Sequence, residues 1–181
     1  MKKQISGIGI LTLIVLVAIG IYYVLVATGA IFFFGDNPPE PEITYGEFPF
    51  RLEYEIYGKN VVVEDTLICK FDGFGANEGL GKYRKWTGSI ATNGNDVIVL
   101  LEIDKNTKII YPPGNPQFYM DDLKEYITYN PIFPDAVIER KNSSPGQFDS
   151  SSLITADRLL EEYNIKLISW EIAPPIENTF K

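Results

Sequence analysis

The stretch Phe48 to Ile56 reads FPFRLEYEI and shows the alternation of a β-strand. Apolar or aromatic side chains at every second position are separated by proline, arginine and glutamate. Successive side chains of a strand point to opposite faces of its sheet, so a period of two indicates a strand with one buried face. The sheet built on this strand should therefore have a buried side and a solvent side.

Further strands follow along the chain. A glycine turn leads into Val61 to Phe71, which should pair with the first strand as an antiparallel hairpin. After a glycine-rich connection at residues 72–81, residues 82–90 and 96–103 predict a second hairpin, because the Asn93-Gly94 pair between them favours a tight turn. Later strands are expected at Lys108 to Tyr111, Ala136 to Lys141 and Ile165 to Ile172.

Two helices are predicted in the second half of the chain. Asn115 as N-cap and Pro116 at the first helical position begin a helix that should run through Ile127. Thr155 can cap the other helix, after which Asn164 permits a left-handed turn. The side chains expected on the buried faces are Tyr119, Leu123 and Tyr126 in the first helix, and Leu159, Leu160 and Tyr163 in the second.

This order of elements indicates the fold class. Strands followed by helices favour an α+β domain with a mainly antiparallel sheet of about five to seven strands and two helices. The domain comes after an apolar N-terminal segment that predicts a transmembrane helix.

The apolar segment is uncharged from Gln4 to Gly35, whereas a membrane span needs only about 20 apolar residues. Leu, Ile and Val dominate Ile8 to Val26, and together they favour insertion by about 4 to 8 kcal/mol. A cleaved secretory signal is the alternative, since small residues occur at 27–30. The apolar run continues to Phe34, beyond the about 15 residues of a signal core, and this length favours an uncleaved anchor.

Flanking charges predict the orientation of the anchor. Lys2 and Lys3 precede it, and the first basic residue after it is Arg51, so the positive-inside bias places the N-terminus in the cytoplasm. Three prolines after the anchor favour an extended, semi-rigid spacer. The predicted organisation is a cytoplasmic tail at 1–7, a transmembrane anchor at 8–34, a proline-rich acidic stalk at 35–42 and an extracytoplasmic α+β domain at 43–181.

The composition excludes several classes of function. The net charge is −8, and because Lys2 and Lys3 precede the span the remainder carries −10, which disfavours nucleic acid as a partner. The sequence contains no histidine, which excludes Ser-His-Asp and Cys-His catalysis and imidazole metal sites within this chain. The single cysteine, Cys69, lies in an apolar run that predicts a buried thiol. We expect neither a cofactor nor a metal.

The glycine-rich connection does not match a phosphate-binding motif. A P-loop ending at Gly81-Lys82 would need glycine at position 76 and serine or threonine at position 83, where the chain has Ala76 and Tyr83. A calcium loop is disfavoured as well, because the regular alternation of Asp and Asn is missing. The pattern favours a flexible or tightly turned loop.

One basic and aromatic cluster, KYRKW at residues 82–86, stands out in this acidic domain. Arg and Trp are enriched at binding hot spots, so the cluster is a candidate partner-contact patch. On a strand, however, Arg84 and Trp86 share one face and Lys85 points to the other, and the alternative is a core tryptophan with solvated cations. The candidate contact residues are Lys82, Arg84, Lys85 and Trp86.

Adjacent acidic residues suggest a different hypothesis. Asp121-Asp122 or Glu161-Glu162 could supply the two carboxylates with which enzymes cleave glycosidic bonds. Close pairs also arise by chance among 24 acidic residues. Because Glu161 and Glu162 lie on a predicted helix, solvated surface is the favoured interpretation.

Several motifs resemble a known group of proteins. The motifs are YGEFPF at residues 45–50, EDT at 64–66, KYRKW at 82–86, YPPG at 111–114 and ISWE at 168–171. They are similar to segments of uncharacterised, small, N-terminally membrane-anchored proteins of Gram-positive bacteria, and the resemblance covers nearly the whole exported domain. It implies a compartment and no catalytic residues, since that group has no established activity.

These observations predict a single-pass membrane protein with its domain outside the cytoplasm. The first hypothesis is a non-catalytic module that contacts the bilayer through its N-terminal helix and binds an envelope protein or polymer. The alternative is a carboxylate-dependent enzyme that acts on a glycan or another envelope substrate.

Overall fold

The computed structural model describes residues 7–27, 36–77, 81–123, 129–141 and 149–181. The chain divides into two compact units. The first unit comprises Met1–Pro39 and Gly73–Lys85, and the second unit comprises Glu40–Asp72 and Trp86–Lys181.

The apolar N-terminal segment forms helix α1, Gly7–Ala27. Its residues Gly9–Val26 are long and apolar enough to cross a membrane, and none of them is buried against the rest of the protein. Membrane anchors and signal sequences share these properties. Residues 28–35, which include the end of the predicted anchor at 8–34, lie outside the described residues.

The described residues contain eight strands, which form two four-stranded sheets. The strands are β1 (Tyr45–Ile56), β2 (Lys59–Asn77), β3 (Gly81–Ile90), β4 (Ile98–Asp104), β5 (Thr107–Tyr111), β6 (Ala136–Arg140), β7 (Ser150–Ile154) and β8 (Ile165–Ile172). The strand order is β3-β2-β1-β8 in one sheet and β4-β5-β6-β7 in the other. With the short helices α2 (Pro116–Tyr119) and α3 (Ala156–Tyr163), this arrangement confirms the predicted α+β class behind an N-terminal apolar helix.

Strand β1 organises the first sheet, because it pairs antiparallel with β2 along one edge and with β8 along the other. Its predicted alternation is confirmed, since Phe48, Phe50, Leu52 and Tyr54 are buried and the residues between them are exposed or half-buried. These side chains join buried residues of β4, β5 and β6 in one apolar cluster. The buried faces of both sheets therefore share one core.

The predicted hairpin between residues 82–90 and 96–103 is wrong. Strands form at both places, but β3 lies beside β2 in the first sheet and β4 lies beside β5 in the second. The turn at Asn93-Gly94 exists, with Gly94 at a φ of +71°. The Ala91 N–H, directly after β3, donates to the carbonyl of Thr66 in β2 at 2.9 Å. The chain therefore stays beside β2 as far as this turn and crosses to the other sheet after it.

The predicted loop at residues 72–81 is also wrong over most of its length, since β2 continues to Asn77 and β3 begins at Gly81. Glycine makes this extension sterically feasible. A Cβ atom added at Gly75 would lie 2.6 Å from the ring of Tyr83, so a larger residue would displace the Tyr83 side chain. Residues 78–80 lie outside the described residues.

Helix α2 is shorter than predicted. Its N-cap is confirmed, because the Asn115 side chain accepts a hydrogen bond from the Gln117 N–H at 2.9 Å. The helix ends after Tyr119, since Asp121 adopts a φ of +58°, a left-handed conformation that a right-handed helix cannot continue through. Tyr119 is buried as predicted, and Tyr126 lies outside the described residues.

Helix α3 matches its predicted position, and Asn164 closes it in the left-handed conformation at a φ of +54°. Leu159 is buried, but Leu160 is 51% exposed, so the prediction that Leu160 faces inward is wrong. Neighbouring residues of a helix point about 100° apart, and a helix of two turns buries a narrow stripe. Thr155 provides no side-chain cap; instead, the Ala156 N–H donates to a carboxylate oxygen of Asp135 at 2.9 Å.

After β8 the chain continues as an irregular tail, residues 173–181, which returns to the beginning of the second unit. The Glu42 N–H donates to the Thr179 carbonyl at 2.8 Å, and the Lys181 N–H donates to the Glu40 carbonyl at 3.0 Å. The proline between Glu40 and Glu42 is buried. The last residues of the predicted stalk are thus hydrogen-bonded to the tail.

Asn178 connects the tail to two other segments. Its side-chain oxygen accepts the Ile43 N–H at 2.9 Å, and its side-chain nitrogen donates to the carbonyls of Ile43 at 2.9 Å and Met120 at 3.2 Å. One side chain therefore holds the tail against the end of the stalk and the end of α2.

Replacing Asn178 by alanine should lower the free energy of unfolding by about 1 to 2 kcal/mol, because it removes three hydrogen bonds, most of them solvent-exposed. Urea unfolding of the full-length protein in detergent, followed by tryptophan fluorescence, measures the loss. Asn60→Ala, which removes one exposed contact with Glu53, is the control and should cost less than about 0.5 kcal/mol. Equal losses in the two variants would contradict the connecting role of Asn178.

Glu42 gives the contact between stalk and tail a pH dependence. Its carboxylate accepts a hydrogen bond from the Thr179 hydroxyl and pairs with the Lys181 ammonium at 3.0 Å. These two bonds lower the pKa of Glu42 below its ordinary value of 4.5. A carboxyl group whose pKa is lowered in the folded state stabilises the fold above its unfolded-state pKa, and this contribution is lost as the pH falls through the folded-state pKa.

Glu42→Gln should therefore lower the urea midpoint of unfolding at neutral pH, and the difference from the wild type should shrink as the pH falls below about 4.5. Because the carboxylate is exposed, salt should reduce the difference as well. Glu161→Gln removes the same charge from α3 and controls for net charge. A difference that stayed constant from neutral to acidic pH would contradict the assignment.

Candidate functional site

The predicted contact residues lie on β3, where they belong to different units. In the first unit Lys82 and Arg84 are half-buried and Lys85 is exposed. The Arg84 guanidinium donates to the carbonyl of Pro39 at 3.0 Å. Trp86 belongs to the second unit. The role of this cluster in partner contact stays a prediction.

Trp86 is fixed by contacts inside the second unit. Its indole N–H donates to the Asp122 carboxylate at 2.7 Å, and its ring meets Phe71 edge to face with 5.4 Å between centroids. The side chain packs against the apolar cluster of the core. These contacts support the alternative in which Trp86 is a core residue.

Three of the four carboxylates named in the enzyme hypothesis have partners within the fold. Asp122 accepts the indole hydrogen bond, and Asp121 accepts the backbone N–H of Asn178 at 3.3 Å. Glu162 pairs with Arg158 one turn earlier in α3 at 2.7 Å, which lowers the pKa of Glu162. Among the residues that the structure describes, no group of three or more His, Cys, Asp or Glu side chains is arranged to hold a metal ion.

Cys69 is fully buried in β2, as the sequence predicted. Burial raises the pKa of its thiol to about 12. The thiol therefore remains protonated at neutral pH and is a poor nucleophile.

A pocket of about 350 Å³ opens in the second unit, where three segments of the chain converge. These segments are α2, the stretch around Tyr129, and the end of β8 with the beginning of the tail. None of the described lining residues is charged. We call this cavity the aromatic pocket; its described lining consists of Phe118, Tyr119, Tyr129, Pro131, Trp170, Ile172, Ala173, Pro174 and Pro175.

The rings on one side of the aromatic pocket hold one another in place. Phe118 and Tyr129 stack with 4.1 Å between centroids, and Tyr119 meets Phe118 edge to face at 5.2 Å. The Tyr119 hydroxyl also donates to the Pro113 carbonyl at 3.2 Å. Gly114 leaves room for this cluster, because a Cβ atom there would lie 2.4 Å from the Tyr129 hydroxyl. The ring positions are therefore fixed by packing before any ligand arrives.

Trp170 lines the aromatic pocket from β8. Its ring packs on Phe50 and Tyr111, with centroid distances of 5.3 Å and 4.9 Å. The indole is thus firmly packed against the core. Its N–H makes no hydrogen bond with a described residue.

Two backbone hydrogen bonds fix the proline wall of the aromatic pocket. The Ala173 N–H donates to the Pro49 carbonyl at 2.9 Å, and the Ile176 N–H donates to the Tyr119 carbonyl at 3.0 Å. Pro174 and Pro175 lie between these two points and are exposed. This wall is therefore held at both ends.

The phenols of Tyr111 and Tyr119 stay neutral. Burial raises the pKa of Tyr119, and the hydrogen bond with Tyr129 raises it further. Burial also raises the pKa of Tyr111, which packs behind Trp170. Tyr119 therefore adds no charge to the lining of the pocket.

A second pocket of about 460 Å³ shares the lining residues Ile172 and Ala173 with the first. It contains three carboxylates and one guanidinium, so its described lining is net negative. Arg51 is engaged by Glu53 at 2.8 Å and by Glu64 at 3.4 Å. We call this cavity the acidic pocket; its other lining residues are Pro49, Phe50, Arg51, Glu64, Asp65 and Glu171.

Sequence reasoning missed the residues of the aromatic pocket. The signal available was the aromatic content of 13%, together with prolines directly after the closing strand. Neither feature shows that residues as far apart as Phe118 and Trp170 meet. No protein-family model, curated protein or solved structure matches this chain, so its function is inferred from the geometry of the two pockets.

Proposed function

We propose that this chain is a single-pass membrane protein whose second unit lies outside the cytoplasm and binds a protein or polymer of the cell envelope. The module is non-catalytic, and the aromatic pocket is its binding site. The carrying observation is a preformed pocket of rings and prolines that has no charged residue in its described lining.

The dimensions and the rigidity of the aromatic pocket support a binding role. Ligand sites typically measure about 300 to 1,000 Å³ and are largely apolar with a few directed polar groups. The volume of about 350 Å³ falls in this range. Because the rings and the proline wall are already held in place, binding loses little side-chain freedom.

The sequence around α1 supports the proposed topology. Lys2 and Lys3 precede the helix and acidic residues follow it, which matches an N-terminus in the cytoplasm. The resemblance to anchored proteins of Gram-positive bacteria adds the same compartment to the proposal. An acidic domain charge of −10 would also be repelled by anionic lipid and keep the domain in solution above the bilayer.

A non-catalytic role agrees with the chemistry of the titratable groups. Histidine is absent from the sequence, and the cysteine thiol and the phenols of Tyr111 and Tyr119 have raised pKa values. Three carboxylates of the acidic pairs hold other parts of the fold. The pocket therefore offers recognition groups rather than an acid, a base or a nucleophile.

A reporter enzyme that folds only outside the cytoplasm tests the topology. Fused after Lys181, it should be active and should remain in the membrane fraction. Fused before α1, after Lys3, it should be inactive. Activity released into the medium would show cleavage and contradict the anchor, and inactivity of an intact Lys181 fusion would contradict the orientation.

A photo-crosslinking amino acid placed at Pro174 tests the binding site in cells. Pro174 is exposed in the aromatic pocket, so illumination should give an adduct of discrete mass, and Trp170→Phe should reduce its yield. The same probe at Leu160, which is 51% exposed and lines neither pocket, is the control. Equal adducts from both positions, or none from Pro174, would contradict the proposed site.

A further inference from the structure

We propose that the tail, residues 173–181, is a strap that closes the aromatic pocket, and that its attachment to the end of the stalk keeps the proline wall of the pocket in place. This inference rests on the proposed function and names a regulation of the same site. Its basis is that one short segment lines the pocket near its start and is bonded to the stalk near its end. All the residues involved belong to the second unit.

The start of the tail forms the pocket wall. Ala173, Pro174 and Pro175 line the aromatic pocket, and the two prolines are exposed. Beyond them the Ile176 N–H donates to the Tyr119 carbonyl at 3.0 Å, and the Ile176 side chain is half-buried against the apolar cluster. The described contacts at the far end of the wall are therefore one hydrogen bond and one half-buried side chain.

The end of the tail is bonded to the stalk. The two backbones form a short antiparallel pair, in which Glu42 is bonded to Thr179 and Lys181 is bonded to Glu40. The Glu42 carboxylate also accepts the Thr179 hydroxyl and pairs with the Lys181 ammonium. The charged side chains are exposed, so their ion pair is weak by itself. The attachment therefore depends on several small contacts that act together.

Asn178 joins the two parts of the tail. Its side chain exchanges hydrogen bonds with the backbone N–H and carbonyl of Ile43, directly after the stalk. It also donates to the Met120 carbonyl at 3.2 Å, and its backbone N–H donates to the Asp121 carboxylate at 3.3 Å. Met120 and Asp121 directly follow Tyr119 in the chain. The segment that holds the pocket wall is therefore bonded to the same residue that holds the stalk.

The short spacing along the tail makes its two ends interdependent. Only Glu177 separates Ile176 from Asn178. Ordering the backbone of one residue costs about as much free energy as one hydrogen bond contributes, so the Ile176 bond gains little by itself. Once Asn178 is bound, Glu177 is held at both ends and the entropy cost of closing the wall falls. Because the tail has no regular secondary structure and is mostly exposed, we expect it to open as one unit while the sheets stay folded.

Hydrogen exchange of the full-length protein in phosphatidylcholine nanodiscs tests whether the tail opens as one unit. The amide hydrogens of Ile176 and Glu42 are both bonded across the tail. In the wild type they should show similar protection factors. Both factors should be lower than those of the β8 amides that are bonded to β1, because the tail opens without the sheet.

Variants at the stalk contact test the coupling to the pocket wall. Asn178→Ala should lower the protection of the Ile176 amide about ten-fold. Glu42→Gln, which leaves every pocket residue intact, should lower it about two-fold. The controls are Glu161→Gln, which removes the same charge from α3, and Asn60→Ala, which removes one exposed contact. Both controls should leave the protection of Ile176 unchanged.

The Pro174 crosslink measures the consequence for binding in cells. Opening of the strap moves Pro174 out of the pocket, and apparent affinity falls with the fraction of closed protein. The combined variant Asn178→Ala/Glu42→Gln should therefore lower the adduct yield about two-fold at equal protein level. The matched control Asn60→Ala/Glu161→Gln should leave the yield unchanged.

Four outcomes are decisive. Lower protection of Ile176 in both stalk variants, together with a lower adduct yield, supports the inference. Protection of Ile176 equal to that of β8, or unchanged by Asn178→Ala, would overturn it. Lower protection with an unchanged adduct yield would overturn the regulatory role and leave the proposed function standing. Absence of the Pro174 adduct in the wild type, with protection lowered as expected, would overturn the proposed function and leave the coupling of tail and stalk standing.

Discussion

The antiparallel pairing of β1 with β8 is the constraint on which the second unit depends. Strand β1 is hydrogen-bonded along both edges, so its buried face is completed only when the last strand of the chain arrives beside it. The register places Leu52 opposite Trp170 and Phe50 opposite Ile172. A slip of one residue would turn Trp170 to the other face of the sheet, and the aromatic pocket would lose one wall.

The same pairing decides where the tail begins, and the tail then serves two purposes. Near its start it is bonded to Pro49 and Tyr119, which fixes the proline wall of the aromatic pocket. Near its end Asn178 and the backbone of residues 179–181 hold the final residues of the stalk. The tail therefore supports both the aromatic pocket and the final residues of the stalk.

The two pockets differ in polarity because Trp170 and Glu171 are successive residues of β8 and point to opposite faces of the sheet. The aromatic pocket collects rings from α2 and β8, and burial keeps the neighbouring phenols neutral. The acidic pocket takes its charged residues from β1, β2 and β8, and its carboxylates outnumber the guanidinium of Arg51.

The sequence by itself determined the features that depend on neighbours along the chain. These are the apolar helix α1, the alternation of β1, the limits of β8, the cap at Asn115 and the left-handed end at Asn164. Tertiary structure alone decided that β3 and β4 join different sheets, that α2 stops at Tyr119, and that Phe118, Tyr129 and Trp170 meet. The physical reason is that hydrophobic periods and caps act over a few residues, whereas sheet partners and pocket walls are chosen by packing between residues far apart in the chain.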